Sequence, residues 1–214
     1  MAGKATYLVG NTMEGSPMSL DQPAGRQPDH PVASEFPARW SPRSFTDREL
    51  TESEMMSLLE AARWAPSASN HQPWRFVWAL RREPVFEAIH ACLLGNNLIW
   101  TAGAAGLVVV ASKDTLTNRE GAEVPNRTAA FDTGAAWMSL ALQAQTMGLF
   151  GHAMGGFDRD KLATAIHLPE GHTLHCVVAV GEQGPADTLP EGLRERERPS
   201  PRKPVSEFAA HGRF

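Results

Sequence analysis

Cysteine is scarce: the 214 residues contain two, Cys92 and Cys176, far apart and each in apolar surroundings. That argues against a disulfide framework, fits a reducing cytoplasm, and leaves both thiols as buried, inert side chains. Positive charge is not in excess. Lys and Arg number 20 against 24 Asp and Glu, a net charge of -4, so no basic field points to nucleic acid. No apolar run reaches membrane-spanning length, and the first residues lack a signal-peptide core, so no membrane partner is expected. The G-x-S-x-G elbow, the P-loop and G-x-G-x-x-G are all missing, which removes the usual signals for a serine hydrolase, a nucleotide triphosphatase and a Rossmann site. Among eight histidines the nearest pair, His172 and His175, has no third ligand at a familiar spacing, so no metal is expected.

What is present supports one sizeable core. Hydrophobic residues make up 42% of the chain, enough for a single domain. Residues 1–37 are rich in Gly, Pro, Asp, Gln and Ser without a period, and read as an extended or disordered arm. Residues 38–214 read as the domain. Thr51-Glu-Ser-Glu54 is a capping-box pattern, and Met55, Leu58, Leu59 and Ala62 then follow at helical spacing. Pro84 suits a helix start, with Gly95 a stop after about Leu94. Gly106 to Ala111 and Leu174 to Gly181 are short apolar runs of the kind that form covered strands. Between them, Ser112 to Thr128 reads as the longest irregular insertion, a candidate binding loop or lid. Phe131 to Met147 has few charges and is apolar nearly all round, which predicts a helix buried in the core or in a dimer interface. Asp158 can cap the next helix. From Glu182 onward the chain is rich in Pro and charge and reads as an extended arm.

The most specific stretch runs from Glu60 to Phe76. Pro66 ends the first helix, because a residue before proline is pushed out of the α region. Phe76, Trp78 and Leu80 then alternate with Arg75, Val77 and Ala79, as a strand does. The turn between carries Ser67, Ser69, Asn70, His71 and Gln72, held by Pro66 and Pro73 and flanked by Trp64 and Trp74. Its composition suits an ordinary polar connection as well as a binding loop. Upstream, Arg39-Trp-Ser-Pro-Arg-Ser-Phe45 places two guanidiniums four residues apart around a serine, an arrangement suited to an anionic group.

In that order, R-x-S-x-R-x-F, a helix and A-P-S-x-x-N-x-Q-P-W, the chain resembles the nitroreductase family of FMN-dependent oxidoreductases over roughly residues 36 to 214. The resemblance implies an α+β fold, a mixed and mainly antiparallel sheet flanked by helices, in an intertwined homodimer with FMN at the subunit interface. It implies that Arg39 and Ser41 contact the phosphate and ribityl end, and that Arg43 lies at the pyrimidine edge, where a fixed cation favours the reduced ring. Pro66, Ser67, Ser69, Asn70 and Gln72 match the loop that reaches the cofactor of the other subunit. Asn97 matches a family asparagine near the pyrimidine only approximately. Gly155 and Gly156 resemble the segment at the N5 edge, where the lack of a side chain permits close backbone approach. Where Gly155 stands some members carry a glutamate, and this chain departs from that pattern, so the resemblance carries no carboxylate role over to this position. Arg202 and Lys203 resemble the pair that closes over the phosphate. Taken alone, Gly155-Gly156 reads as a plain turn and Arg202-Lys203 as a solvated pair. His71 and His152 flank these loops without an assigned role. The implied chemistry is ping-pong: hydride from NAD(P)H to flavin N5, then transfer to a small acceptor such as a nitroaromatic or quinone. A related enone reductase or dehalogenase, or an FMN sensor or store with little turnover, are the alternatives.

Overall fold

The computed structural model describes residues 25–213. Residues 1–24 of the expected N-terminal arm lie outside them. Of residues 25–37 most are exposed, Arg26 is buried, and Glu35–Ala38 forms a single helical turn, α1.

Helix α2, Glu52–Arg63, begins at the predicted capping box: Thr51 Oγ1 accepts from the Glu54 amide, and the Glu54 carboxylate accepts from the Thr51 amide at 2.8 Å. The helix ends three residues before Pro66, and Met55, Leu58 and Ala62 are buried as their spacing requires. Strand β1, Trp74–Leu80, follows the polar loop. Helix α3, Pro84–His90, starts at Pro84 but stops short of Leu94. The chain leaves it at Ala91 because Leu93 pairs with Phe157 in an isolated β-bridge. After it come a helical turn α4, Asn97–Trp100, and strand β2, Gly106–Lys113.

The expected irregular insertion contains a small hairpin, β3, Thr115–Thr117, and β4, Glu123–Pro125. Glu123 staples it, accepting from the hydroxyls of Thr115 and Thr117 and pairing with Lys113 at 3.2 Å; these contacts lower its carboxyl to about 2. Helix α5, Ala129–Thr146, strand β5, Phe150–Met154, helix α6, Arg159–Ala165, and strand β6, His172–Gly181, complete the body. Asp158 caps α6 as predicted, accepting from the Lys161 amide at 3.0 Å.

The main sheet has the order β1-β2-β6-β5, and all three pairings are antiparallel. Side chains alternate across its centre. Leu107, Val109, Val177 and Ala179 join Phe86, Ile89, Trp100 and Leu162 on one face. Val108, Val110, Val178 and Val180 join Met55, Leu58, Ala136 and Leu140 on the other. Both faces are covered, which is why these strands read as continuous apolar runs. The α5 helix is only half committed to this core. Ala136, Leu140 and Ala144 are buried, whereas Phe131 at its start is 83% exposed.

The tail after Glu182 folds back onto the body. Phe45 pairs with Gln183, and the Gly184 amide donates to Ser44 O at 2.9 Å. Gly184 is required there: a Cβ would lie 2.7 Å from the Phe45 carbonyl. One helical turn, α7, Glu191–Arg194, buries Leu193.

Candidate functional site

Where the segment after α1 passes α5 and β5, the chain encloses a cavity of about 1180 Å³. Trp137, Met138 and Ala141 of α5 form an apolar wall, and His152 and Ala153 of β5 continue it. Arg39 and Ser41 enter from the first motif, Arg202 and Lys203 from the tail, and Arg26 from the described part of the N-terminal segment. Four residues expected at one anionic group, 164 positions apart in sequence at the extremes, thus line one cavity.

Its electrostatics are unusual. Lys203 pairs with Glu207 at 2.9 Å, but Arg26, Arg39 and Arg202 make no ion pair among the described residues. Burial depresses the pKa of Arg39, and the nearby Arg202 depresses it further; Arg26 is lowered by burial and then by both. Guanidinium stays protonated regardless, so the shifts express burial first and the mutual repulsion of the three cations second; Asp29 shares the lining, its carboxylate accepting from the Val205 amide.

Other expected residues lie outside the cavity. The Arg43 guanidinium pairs with Glu197 at 3.6 Å, a carboxylate whose side chain is 2% exposed. The same carboxylate accepts from the amides of Arg43 at 2.6 Å and Ser44 at 2.9 Å. Asn97 and Gly156 do meet: Asn97 Nδ2 donates to Gly156 O at 3.2 Å, and a Cβ on Gly156 would lie 2.9 Å from that nitrogen. Gly155 is exposed, and a Cβ there would meet nothing within 4 Å. The loop of Pro66, Ser67, Ser69, Asn70 and Gln72 is mostly exposed and is anchored to the start of α5, where Asp132 accepts from the Ala68 amide at 3.2 Å. Three groups therefore exist in one chain: the cationic cavity, the Asn97–Gly156 corner and the Pro66–Gln72 loop.

Sequence reasoning missed Arg26, which sits in a stretch without periodicity and offers no signal beyond its charge. It also missed Glu197, one of several alternating charges in the tail. His152, noted only for its position, has a defined role in the geometry. Its Nδ1 lies 2.9 Å from Pro42 O, and a carbonyl can only accept, so Nδ1 carries the proton. The ring packs on Trp100 with centroids 4.6 Å apart. Burial brings its pKa down to about 4, with Arg43 adding to the effect against the opposing Pro42 bond.

Among the described residues no cluster of His, Cys, Asp or Glu could hold a metal, and no helix is long and apolar enough to cross a membrane. Of the two thiols expected to be buried, Cys92 is buried and Cys176 half-buried; burial raises both, Cys176 to about 11.

A structure described as an oxidoreductase containing FMN is 41% identical, with a TM-score of 0.86, over 88% of this chain and 96% of its own. A nitroreductase family protein from Streptococcus pneumoniae is 20% identical and shares the fold, with a TM-score of 0.65 over 81% of this chain and 96% of that one. An Archaeoglobus fulgidus protein, provisionally named an NADH dehydrogenase/NAD(P)H nitroreductase, is 28% identical over 147 residues, 67% of this chain and 80% of its own. The model of the nitroreductase family matches residues 37–97 and 85–182. With its α+β architecture, its antiparallel sheet and the R-x-S-x-R and A-P-S-x-x-N segments in place, the chain belongs to the nitroreductase family.

Proposed function

We propose that this protein is an FMN-dependent oxidoreductase that takes reducing equivalents from NAD(P)H and passes them to a small acceptor, of which nitroaromatics and quinones are the class the family implies. The observation that carries this reading is the convergence of Arg26, Arg39 and Arg202, none of which makes an ion pair among the described residues, on a cavity that Trp137, Met138 and Ala141 wall on one side. A phosphate monoester fits that end, since its oxygens accept charge-assisted bonds from several guanidiniums. The Trp137 and Met138 wall suits a flat apolar ring. An FMN-containing relative at 41% identity supports the same assignment.

When bound, FMN supplies the two-electron chemistry through its ring, and the protein supplies position and charge. Arg39, Ser41, Arg202 and Lys203 hold the phosphate and ribityl end. Arg43 serves the pyrimidine edge, with its charge partly offset by Glu197 at 3.6 Å. Asn97, hydrogen-bonded to Gly156, fixes the corner where the open space at Gly155 admits close approach of a planar ring to the backbone. The Pro66–Gln72 loop serves the cavity of a second subunit, which makes a homodimer the working unit.

The test is the purified protein's visible spectrum, followed by heat release and chromatography of the chromophore. FMN is expected, together with NAD(P)H oxidation that accelerates when a quinone is added. Recovery of FAD, or no flavin after reconstitution, would sink the reading. FMN binding without turnover would instead mark a flavin sensor or store.

A further inference from the structure

We propose that Arg26 is a phosphate-binding residue of this site, forming with Arg39 and Arg202 a three-guanidinium subsite for the phosphate of FMN. The inference rests on the FMN reading and extends it to a segment that precedes the family match, which begins at residue 37.

Arg26 is 8% exposed and lines the cavity. Its Nε donates to Ser200 O at 2.9 Å, and Nη1 donates to Pro37 O at 3.0 Å and Arg39 O at 2.6 Å. All three acceptors are neutral carbonyls. They satisfy hydrogens without supplying a counter-charge, and Nη2 has no hydrogen-bond partner among the described residues. Arg43 and Arg48, by contrast, each meet a carboxylate, Glu197 and Glu54. A buried guanidinium with no carboxylate is unfavourable unless something anionic completes it. Arg39 and Arg202 raise that cost at Arg26, because both lower its pKa. Arg26, Arg39 and Arg202 repel one another, and an anion of high charge between them would relieve that repulsion. A phosphate monoester carries about -1.5 to -2 at neutral pH and has three acceptor oxygens.

The carbonyl bonds give Arg26 a second part in the same site. One reaches the backbone of Arg39, and another reaches Ser200, two residues before Arg202. A separate tie, from the Val205 amide to Asp29 Oδ2 at 3.0 Å, holds the same two segments together. Arg26 thus adds charge and fixes the chain on which both other guanidiniums are carried.

The experiment compares FMN with riboflavin, which has the same ring and lacks the phosphate. Dissociation constants are measured on deflavinated wild type, Arg26→Gln and Arg26→Lys, with a melting temperature for each. Wild type is expected to prefer FMN. Arg26→Gln should weaken FMN by about 10- to 100-fold, the scale of a lost bond to a charged group, and leave riboflavin within about twofold. Arg26→Lys restores the charge and should recover most of the FMN affinity. Equal losses for both flavins would overturn the inference by showing a merely structural lock, and so would failure of both variants to fold. Unchanged FMN preference in both variants would overturn it alone. A wild type that binds neither flavin would overturn the FMN reading beneath it.

Discussion

Arg39 and Arg43 belong to one short motif, yet the folded chain gives them opposite surroundings. Arg39 makes no ion pair among the described residues and faces Arg202, while Arg43 is paired with a buried carboxylate. Spacing alone cannot distinguish them, because Glu197 arrives from 154 residues away. His152 links the two, since its bond to Pro42 O holds the peptide just before Arg43. The pH dependence of this link has a definite sign. Folded His152 titrates at about 4, whereas an unfolded imidazole titrates near about 6.5. Between those values the unfolded chain takes up the proton and the folded chain does not. The stability that His152 contributes is therefore complete above about pH 6.5 and is lost as pH falls toward 4, by up to about 3 kcal/mol. Replacing His152 by Asn keeps a donor near the Nδ1 position and removes the titration. Urea unfolding between pH 4 and 7 should then show a shallower fall in stability for His152→Asn than for wild type. Identical slopes would mean that His152 is not held neutral by the fold.

Among the elements, those with several turns or strong alternation were legible in the sequence. The capping box at Thr51, the strand after Pro73 and the apolar β2 and β6 runs follow from local spacing and residue shape. The β3–β4 hairpin was not legible, because three-residue strands are too short to show a period and are held by Glu123 rather than by a buried face. The fold-back of the tail was hidden for a similar reason: among the described residues, Leu189 and Leu193 are its only deeply buried apolar anchors in a run of charges and prolines. The Pro66–Gln72 loop was recognisable as polar and constrained, but its strain was not. Ser69, Asn70 and Gln72 adopt φ of 48°, 58° and 50°, a left-handed region that costs side-chain-bearing residues roughly 1–2 kcal/mol each. Such strain persists only where neighbours enforce it. Here the Ser67 hydroxyl accepts from the Gln72 amide at 3.0 Å, and buried Asp132 accepts from both the Ala68 amide and the Thr128 hydroxyl. Removing the Asp132 acceptor by Asp132→Ala should cost about 1–3 kcal/mol in urea unfolding and accelerate hydrogen exchange at Ala68. Unchanged exchange at that amide would show that the loop is held without α5.

At the scale of the whole molecule, one chain leaves its proposed site incomplete and its surface unusually apolar in one respect. Phe131 is 83% exposed and Trp64 73% exposed, at the start of α5 and just after α2. The loop between them in space, carrying Ser67 to Gln72, is pinned to that same end of α5, while the cationic cavity opens beside the middle of the helix at Trp137 to Ala141. A second copy packed along α5 would cover the exposed aromatics and could bring its loop to the first copy's cavity, uniting groups that a single chain keeps apart. In such a dimer, association and cofactor binding would be thermodynamically linked, since a ligand that binds only the dimer stabilises the dimer. Light scattering should accordingly give twice the 23.3 kDa chain mass for wild type. Phe131→Asp places a charge where the apolar contact is expected, so it should shift the protein toward monomer and weaken FMN binding in parallel. Raising the protein concentration should restore both together, because association is set by mass action. The arrangement fails if Phe131→Asp is monomeric and still binds FMN with wild-type affinity, for then every group the cofactor needs would already lie within one chain.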